Sequence, residues 1–352
     1  MSKLAALQAQ FSDVDLANQM EGQRDYPPMI AGRVAHIDAD FLAYMCSYER
    51  EGEEISFQDM CHNTDIMIDD LRQSAAAETV VLHLTPSISD KGGRFDTAMI
   101  KAYQSGRTDQ DRKPRFLSKL REWMHNEREA KMWLYCEADD GMSSAQYNTE
   151  DKNLSIIVTK DKDLSMVEGW HMEWDTRDLN WHNAFGKIWI EKRKTTSKLK
   201  GQGTKFFWAQ LLMGDPADSI SGLPLVVTPF LNIYKPTKKT EALRAKMENA
   251  QTDKIYRHLS DKWLDRKPMA CGPMMAYNIL NECQSDLECF KRVRELYEAL
   301  SHIKPFRNYR NEEVITWQKA LLSECNLLWM RLQDPTDMND FTQWLRGVRQ
   351  TA

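Results

Sequence analysis

The 352-residue sequence has no apolar run near the roughly 20 residues that a bilayer-spanning helix needs, so no membrane partner is expected. Its polar opening, Met1 to Arg24, lacks the apolar core of a signal peptide, and the expected location is the cytoplasm, the host's if the chain is viral. No Cys-x-x-Cys pair occurs. The seven cysteines (Cys46, Cys61, Cys136, Cys271, Cys283, Cys289, Cys325) are scattered and odd in number, which excludes a disulfide framework and a zinc knuckle. An excess of positive charge is also missing: the formal net charge is −5, so no global field draws the chain onto nucleic acid. Local basic tracks remain at 113–121, 187–205 and 292–310. Gly92-Gly93 is not followed by Lys-Ser/Thr in register and is no phosphate-binding loop. Internal repeats and low-complexity tracts are absent.

What is present is an alternation of short apolar runs with helical patterns from Arg33 onward. Val34–Ile37, Thr79–Leu84, Met132–Tyr135 and Ser155–Val158 have the length and composition of buried strands. Helical patterns lie near 57–76, 95–125 and 139–148. This order predicts an α/β fold: a central, mostly parallel, twisted sheet with helices on both faces. Residues 170–192 predict a final hairpin, and from about 204 the pattern is helical. Phe206–Met213 is expected as an amphipathic helix. The organisation expected is a leader over 1–32, an α/β domain over 33–203 and a helical region over 204–352 with an insertion at about 225–270.

The acidic residues fall at the ends of these strands. Asp38 closes the first, Asp40 follows, Glu137, Asp139 and Asp140 come after the third, and Asp161 and Asp163 after the fourth. In a parallel sheet the carboxyl ends share one edge, where ligands bind. Asp215 and Asp218, in Gly214-Asp215-Pro216-Ala217-Asp218, supply a further group. One acid after a strand is ordinarily a helix cap or a solvated turn. Several converging on one edge repel by roughly 4 kcal/mol per close pair, and hard divalent cations relieve that. Two such ions, Mg²⁺ or Mn²⁺, suit phosphodiester hydrolysis by activating water and stabilising the leaving oxygen. His36 and Cys136 show no zinc-ligand spacing.

In this order the motifs resemble the 5′-nuclease family of flap endonucleases and bacteriophage 5′→3′ exonucleases, which has a PIN-like fold. Asp38 matches its first-strand aspartate, Glu137-Ala138-Asp139-Asp140 its Glu-x-Asp-Asp, Thr159–Asp163 its (Thr/Ser)-x-Asp-x-Asp, and Gly214–Gly222 its Gly-Asp-x-x-Asp-x-Ile-x-Gly. The resemblance implies a 5′→3′ exonuclease or flap endonuclease in a bacteriophage-type DNA replication or breakdown setting. It would act as a monomer on DNA with 5′ ends, flaps or nicks. It also implies that Asp38, Glu137, Asp139, Asp140, Asp161, Asp163, Asp215 and Asp218 hold two ions, and that a helical arch over about 87–128 clamps single-stranded DNA. Tyr103-Gln104-Ser105-Gly106-Arg107 stands where the family writes Tyr-Lys-x-x-Arg. Arg107 would act with Asp38 in catalysis by steadying the scissile phosphate. Lys101, Tyr103, Gln104, Lys113, Gly222 and Gly272 would contact DNA.

Three departures stand out. Leu84-Thr85-Pro86 replaces the aspartate expected after the second strand, Gln104 replaces the arch lysine, and the helix-hairpin-helix glycine turn is split between Gly222 and Gly272. Asp90, Lys91 and Arg94 are candidates to compensate. Two alternatives follow: a catalytically impaired DNA-binding relative, and a haloacid-dehalogenase-type phosphatase with Asp38 as nucleophile and Asp40 as general acid. Of the eleven tryptophans, Trp317, Trp329 and Trp344 are assigned to the core, while Trp170 and Trp174 are candidates to stack on bases.

Overall fold

The computed structural model describes residues 25–49, 54–106, 113–192, 196–225 and 269–350. A six-stranded sheet forms its centre, in spatial order β3-β2-β1-β4-β5-β6. The strands are β1 (Ile30–Asp38), β2 (Ala77–Leu84), β3 (Lys131–Met132), β4 (Ser155–Thr159), β5 (Gly169–Glu173) and β6 (Leu179–His182). All neighbours pair in parallel except β6, which is antiparallel to β5. Parallel strands need crossovers, and helices α1 (Ala39–Cys46), α2 (Phe57–Ser74), α3 (Leu117–Glu127) and α4 (Ala138–Asn148) fall between the first four.

The alternation of side chains along the strands divides the interior between two faces. Ala35, Ile37, Leu82, Leu84, Ile156 and Val158 point to the face covered by α1, α2 and α3, where Leu42, Met60, Leu71, Leu120 and Met124 are fully buried. Ile157 points to the opposite face, in one core with Met142 of α4 and the C-terminal helices. His36 takes that same side and meets His83 ring to ring (Nδ1 to Nε2, 3.0 Å). Trp133 Nε1, which can only donate, reaches His83 Nδ1 at 3.0 Å. His83 therefore carries its proton on Nε2 and gives it to His36. Burial holds both rings neutral, His36 at about 4.

The helical half is organised around α5 (Thr204–Met213), which is buried from Thr204 to Leu212. It is not the amphipathic helix that the sequence suggested. The hairpin β7–β8 (Lys187–Lys192, Ser197–Gln202) and helices α6 (Pro273–Leu280), α7 (Asp286–Ile303) and α8 (Trp317–Leu328) pack around it and leave no wet side. Trp208 of this helix interlocks with Phe341 and Trp344 of α9 (Asp340–Gln350), which in turn pack on Trp329. Trp329 is buried in this core, and Trp317 and Trp344, partly buried, pack against it, in line with their assignment.

Other sequence expectations shift. The region expected to be one hairpin, 170–192, contributes β5 and β6 to the main sheet and β7 to a separate hairpin. The third strand ends at Met132, because Trp133 turns to His83 while Leu134 and Tyr135 stand exposed. No continuous helix runs through 95–125. Arg94–Thr97 is one short turn, the chain then winds through turns to Gly106, and Pro114 delays the next helix until Leu117. Helix α3 packs on the sheet core through Leu120 and Met124 and sends Arg121 to Asp40. The expected insertion lies outside the described residues except for its ends, where Pro224–Leu225 pairs antiparallel with Met269–Ala270. The expected leader lies outside them up to residue 24. Among the described residues no helix is long and apolar enough to cross a membrane, and all seven cysteines are free thiols.

Candidate metal centre

The carboxyl ends of β1 and β4 place Asp38 and Thr159 side by side, and the Thr159 hydroxyl donates to Asp38 Oδ2 at 3.0 Å. Asp38 also caps α1, its Oδ1 accepting from Phe41 N at 2.9 Å. The same carboxylate thus does the bland work of a cap and faces the acidic edge. Burial, reinforced by Asp40, raises its pKa to about 6. Asp161, two residues past β4, stands exposed at the rim with its carboxyl crowded by neighbouring protein atoms. That crowding, with repulsion from Asp163 and Asp38, lifts it to about 8. Asp139, in the first turn of α4, is pushed well above the carboxylate range by burial and then by Asp161, Asp38 and Glu137. Asp38, Asp139 and Asp161 therefore form one mutually repelling group.

A second group forms where the glycine motif returns to the sheet. Gly214 ends α5 with φ +74, and a Cβ there would collide with the backbone of Gly222. That close approach seats the short pair Gly214–Asp215 and Ile220–Ser221. Gly222 serves the same contact, since a Cβ on it would strike Met213 O. Asp215 and Asp218 are thereby carried to Asp163, and one carboxylate oxygen from each lies within 4.8 Å of the others. Oxygen donors at such spacing suit a hard divalent cation.

Asp140 differs. Arg94 grips it with two hydrogen bonds, and the backbone N–H groups of Glu137 and Arg331 donate to it at 3.2 Å each. Burial alone would raise this carboxyl, but the guanidinium outweighs that and holds it below its ordinary value. Four donors occupy its lone pairs, so the structure places Asp140 beside the cluster as a fixed anchor and not as an open ligand. Asp40 is similarly committed, to Arg121 Nη2 at 2.6 Å and Thr85 N at 2.9 Å. A phosphatase would need it as a free general acid. Thr85, standing where an aspartate was expected, also accepts the Ala138 N–H on its hydroxyl at 2.8 Å and so ties β2 to the start of α4.

Glu137 lies between the two groups. The Tyr103 hydroxyl donates to it at 3.0 Å and stands 3.4 Å from Asp218 Oδ2, while Gln104 Nε2 donates to Asp218 Oδ1 at 3.0 Å. Tyr103 is buried, and desolvation with the Glu137 charge keeps its hydroxyl protonated. Tyr103 and Gln104, expected on a DNA-facing surface, instead bridge the carboxylates. Arg94 and Lys91 reach Glu137 at 3.2 and 3.5 Å, and Lys91 also donates to Gln104. Asp90 merely caps the turn at Gly92.

Lys101 and Lys113 are exposed, and Gly272 precedes α6 in open space. Arg107 lies outside the described residues. Trp174 is buried edge-on against Phe41, so it offers no face to a base. Trp170 is partly buried and pairs with Trp181. Sequence reasoning passed over Thr85, Arg121, Lys162 and Gln210. Only Lys162, flanked by two motif aspartates, carried a local signal.

No protein-family model and no curated protein matches the chain. Among solved structures it is similar to the bacteriophage T5 D15 protein co-crystallised with metal ions, at 14% identity over 76% of this chain and 99% of that one, with a TM-score of 0.39. It is also similar to a variant bacteriophage T5 D15 flap endonuclease in a pseudo-enzyme-product complex with DNA and metal ions, at 15% identity over 76% and 98%, with a TM-score of 0.38.

Proposed function

We propose that this chain is a divalent-cation-dependent nuclease that hydrolyses DNA phosphodiesters from 5′ ends, flaps or nicks. One observation carries the reading: Asp163, Asp215 and Asp218 each bring a carboxylate oxygen within 4.8 Å of the others, beside the raised carboxyls of Asp38, Asp139 and Asp161. A divalent cation bound there would relieve that repulsion, and carboxyls clustered this way mark functional sites. Asp38, Asp139 and Asp161 would hold one Mg²⁺ or Mn²⁺ ion, and Asp163, Asp215 and Asp218 a second, with Glu137 between them. When bound, such ions polarise the phosphate and make an adjacent water a stronger nucleophile.

The chain's own groups do the positioning. Thr159 and Phe41 N fix the Asp38 carboxylate, leaving its remaining lone pairs for the edge. Tyr103 and Gln104 hold Glu137 and Asp218 at a set separation. Lys91, partly exposed beside Glu137, is placed to meet a phosphate oxygen. We assign the phosphate clamp of the motif resemblance to Arg107. The enzyme would act as a cytoplasmic monomer.

The test is incubation of purified protein with a labelled 5′-flap duplex and a nicked duplex in Mg²⁺ or Mn²⁺, beside Asp161→Ala and a chelated control. Short 5′ products that vanish in both controls support the reading. Tight, metal-independent binding without cleavage points to an impaired relative. Turnover of small phosphomonoesters, lost in Asp38→Asn, points to a phosphatase.

A further inference from the structure

Lys162 occupies the middle of the Asp161-Lys162-Asp163 run, and its partly exposed side chain turns back onto carboxylates. Its Nζ lies 2.6 Å from Asp163 Oδ1 and 2.6 Å from Asp215 Oδ2, the latter 53 positions further along the chain than Lys162. Asp163 Oδ1 also accepts from Gln210 Nε2, and Asp215 Oδ1 from Ala217 N at 2.8 Å. The ammonium therefore sits on two of the three carboxylates that a cation at the Asp163, Asp215 and Asp218 trio would need. The trio of Asp38, Asp139 and Asp161 differs: its neighbours at hydrogen-bond distance are a hydroxyl and backbone N–H groups, and Lys162 acts on it only at longer range.

We propose that Lys162 is the resident counter-cation of the Asp163, Asp215 and Asp218 trio, displaced when a divalent ion binds there, and so the residue that sets the concentration at which the second ion enters. This rests on the metal-dependent reading above.

Two physical points support it. The ammonium brings one positive charge to the trio where a divalent ion brings two, so the carboxylates assemble without metal yet still gain from the ion. A monovalent ion would gain little over the ammonium already present, and the device therefore favours divalent over monovalent cations. The Lys162 side chain is 44% exposed, so swinging the head group into water needs no repacking of the core.

Mn²⁺ binding to the full-length chain, followed by calorimetry and by the paramagnetic resonance of free Mn²⁺, decides the matter. The parent should show a tight and a weak class of site, and Asp161→Asn should remove the tight one. Lys162→Ala should tighten the weak class by about tenfold or more and leave the tight class in place, while Lys162→Arg stays near the parent. An unchanged or weaker second class in Lys162→Ala overturns the inference and leaves the nuclease reading standing. Absence of Mn²⁺ binding in parent and variants alike overturns both. If Lys162→Ala melts without metal but folds on adding Mn²⁺, the ion has replaced the ammonium, as proposed. If it fails to fold in either condition, Lys162 is a structural strut and the inference falls.

Discussion

Arg94 holds Asp140 through two parallel hydrogen bonds, Nη1 to Oδ2 at 2.6 Å and Nη2 to Oδ1 at 2.8 Å, with both side chains almost wholly buried. The same guanidinium donates to the carbonyls of Leu327 and Trp329, so one cation ties α4 to the end of α8. A bidentate buried pair is geometrically specific, and removing one partner leaves the other charge stranded. Arg94→Met should therefore lower stability by about 3–5 kcal/mol. Denaturant unfolding of Arg94→Met and of Arg94→Met/Asp140→Leu checks this. The double variant should recover much of the loss, and no recovery would mean that Arg94 matters through its carbonyl contacts instead.

The acidic edge makes an opposite prediction. Asp139 is destabilised by its neighbours, so Asp139→Asn should raise the stability of the metal-free protein at pH 7. The sign follows from linkage. A carboxyl whose folded pKa is raised gives up its proton more readily when unfolded, so it costs stability at neutral pH, and the cost disappears below its unfolded pKa. The advantage of Asn should vanish near pH 3. Adding Mn²⁺ should raise the melting temperature of the parent more than that of Asp139→Asn. Equal metal-induced shifts would remove Asp139 from the cation site.

How much of this was legible beforehand differs residue by residue. The strand ends at Asp38 and Thr159 could be read because a short β-branched and apolar run followed by an acid is a local pattern. The parallel α/β sheet followed from the order of such runs. The partner of Asp140 could not be read. Arg94 lies 46 positions upstream, in an aperiodic turn whose docking depends on the C-terminal helices. Likewise Tyr103 and Gln104 look like surface polar residues until the turn at 99–106 is laid against Asp218, where the Gln104 backbone N–H meets the Asp218 carbonyl at 2.8 Å. The helix α5 looked amphipathic because sequence shows one face at a time, whereas burial by neighbouring elements on every side is a tertiary fact.

The bridge from Tyr103 to Glu137 yields a narrower prediction. Tyr103→Phe removes one hydroxyl from a buried site and leaves the ring against Phe95. The stability loss should stay near 1–2 kcal/mol, while cleavage at limiting Mg²⁺ should fall more than cleavage at saturating Mg²⁺. That pattern marks a residue that positions a ligand. A uniform loss at all Mg²⁺ concentrations would show that Tyr103 acts on the substrate instead.

Glu324 offers a pH test away from the acidic edge. It is 2% exposed, and its Oε2 has no hydrogen-bond partner, while Ser221 N donates to the carboxylate. Burial raises its pKa from 4.5 to about 8. Below pH 4.5 both folded and unfolded chains hold the proton, and Glu324 costs nothing. Between 4.5 and 8 the unfolded chain releases it and the folded chain does not, so stability falls as pH rises and levels off above 8. Glu324→Gln should therefore match the parent near pH 4 and exceed it by about 2–3 kcal/mol at pH 7. Denaturant midpoints at the two pH values measure the difference. A constant offset across the range would mean that the Glu324 carboxyl is ionised in the native state, its charge compensated by Ser221 N and its surroundings.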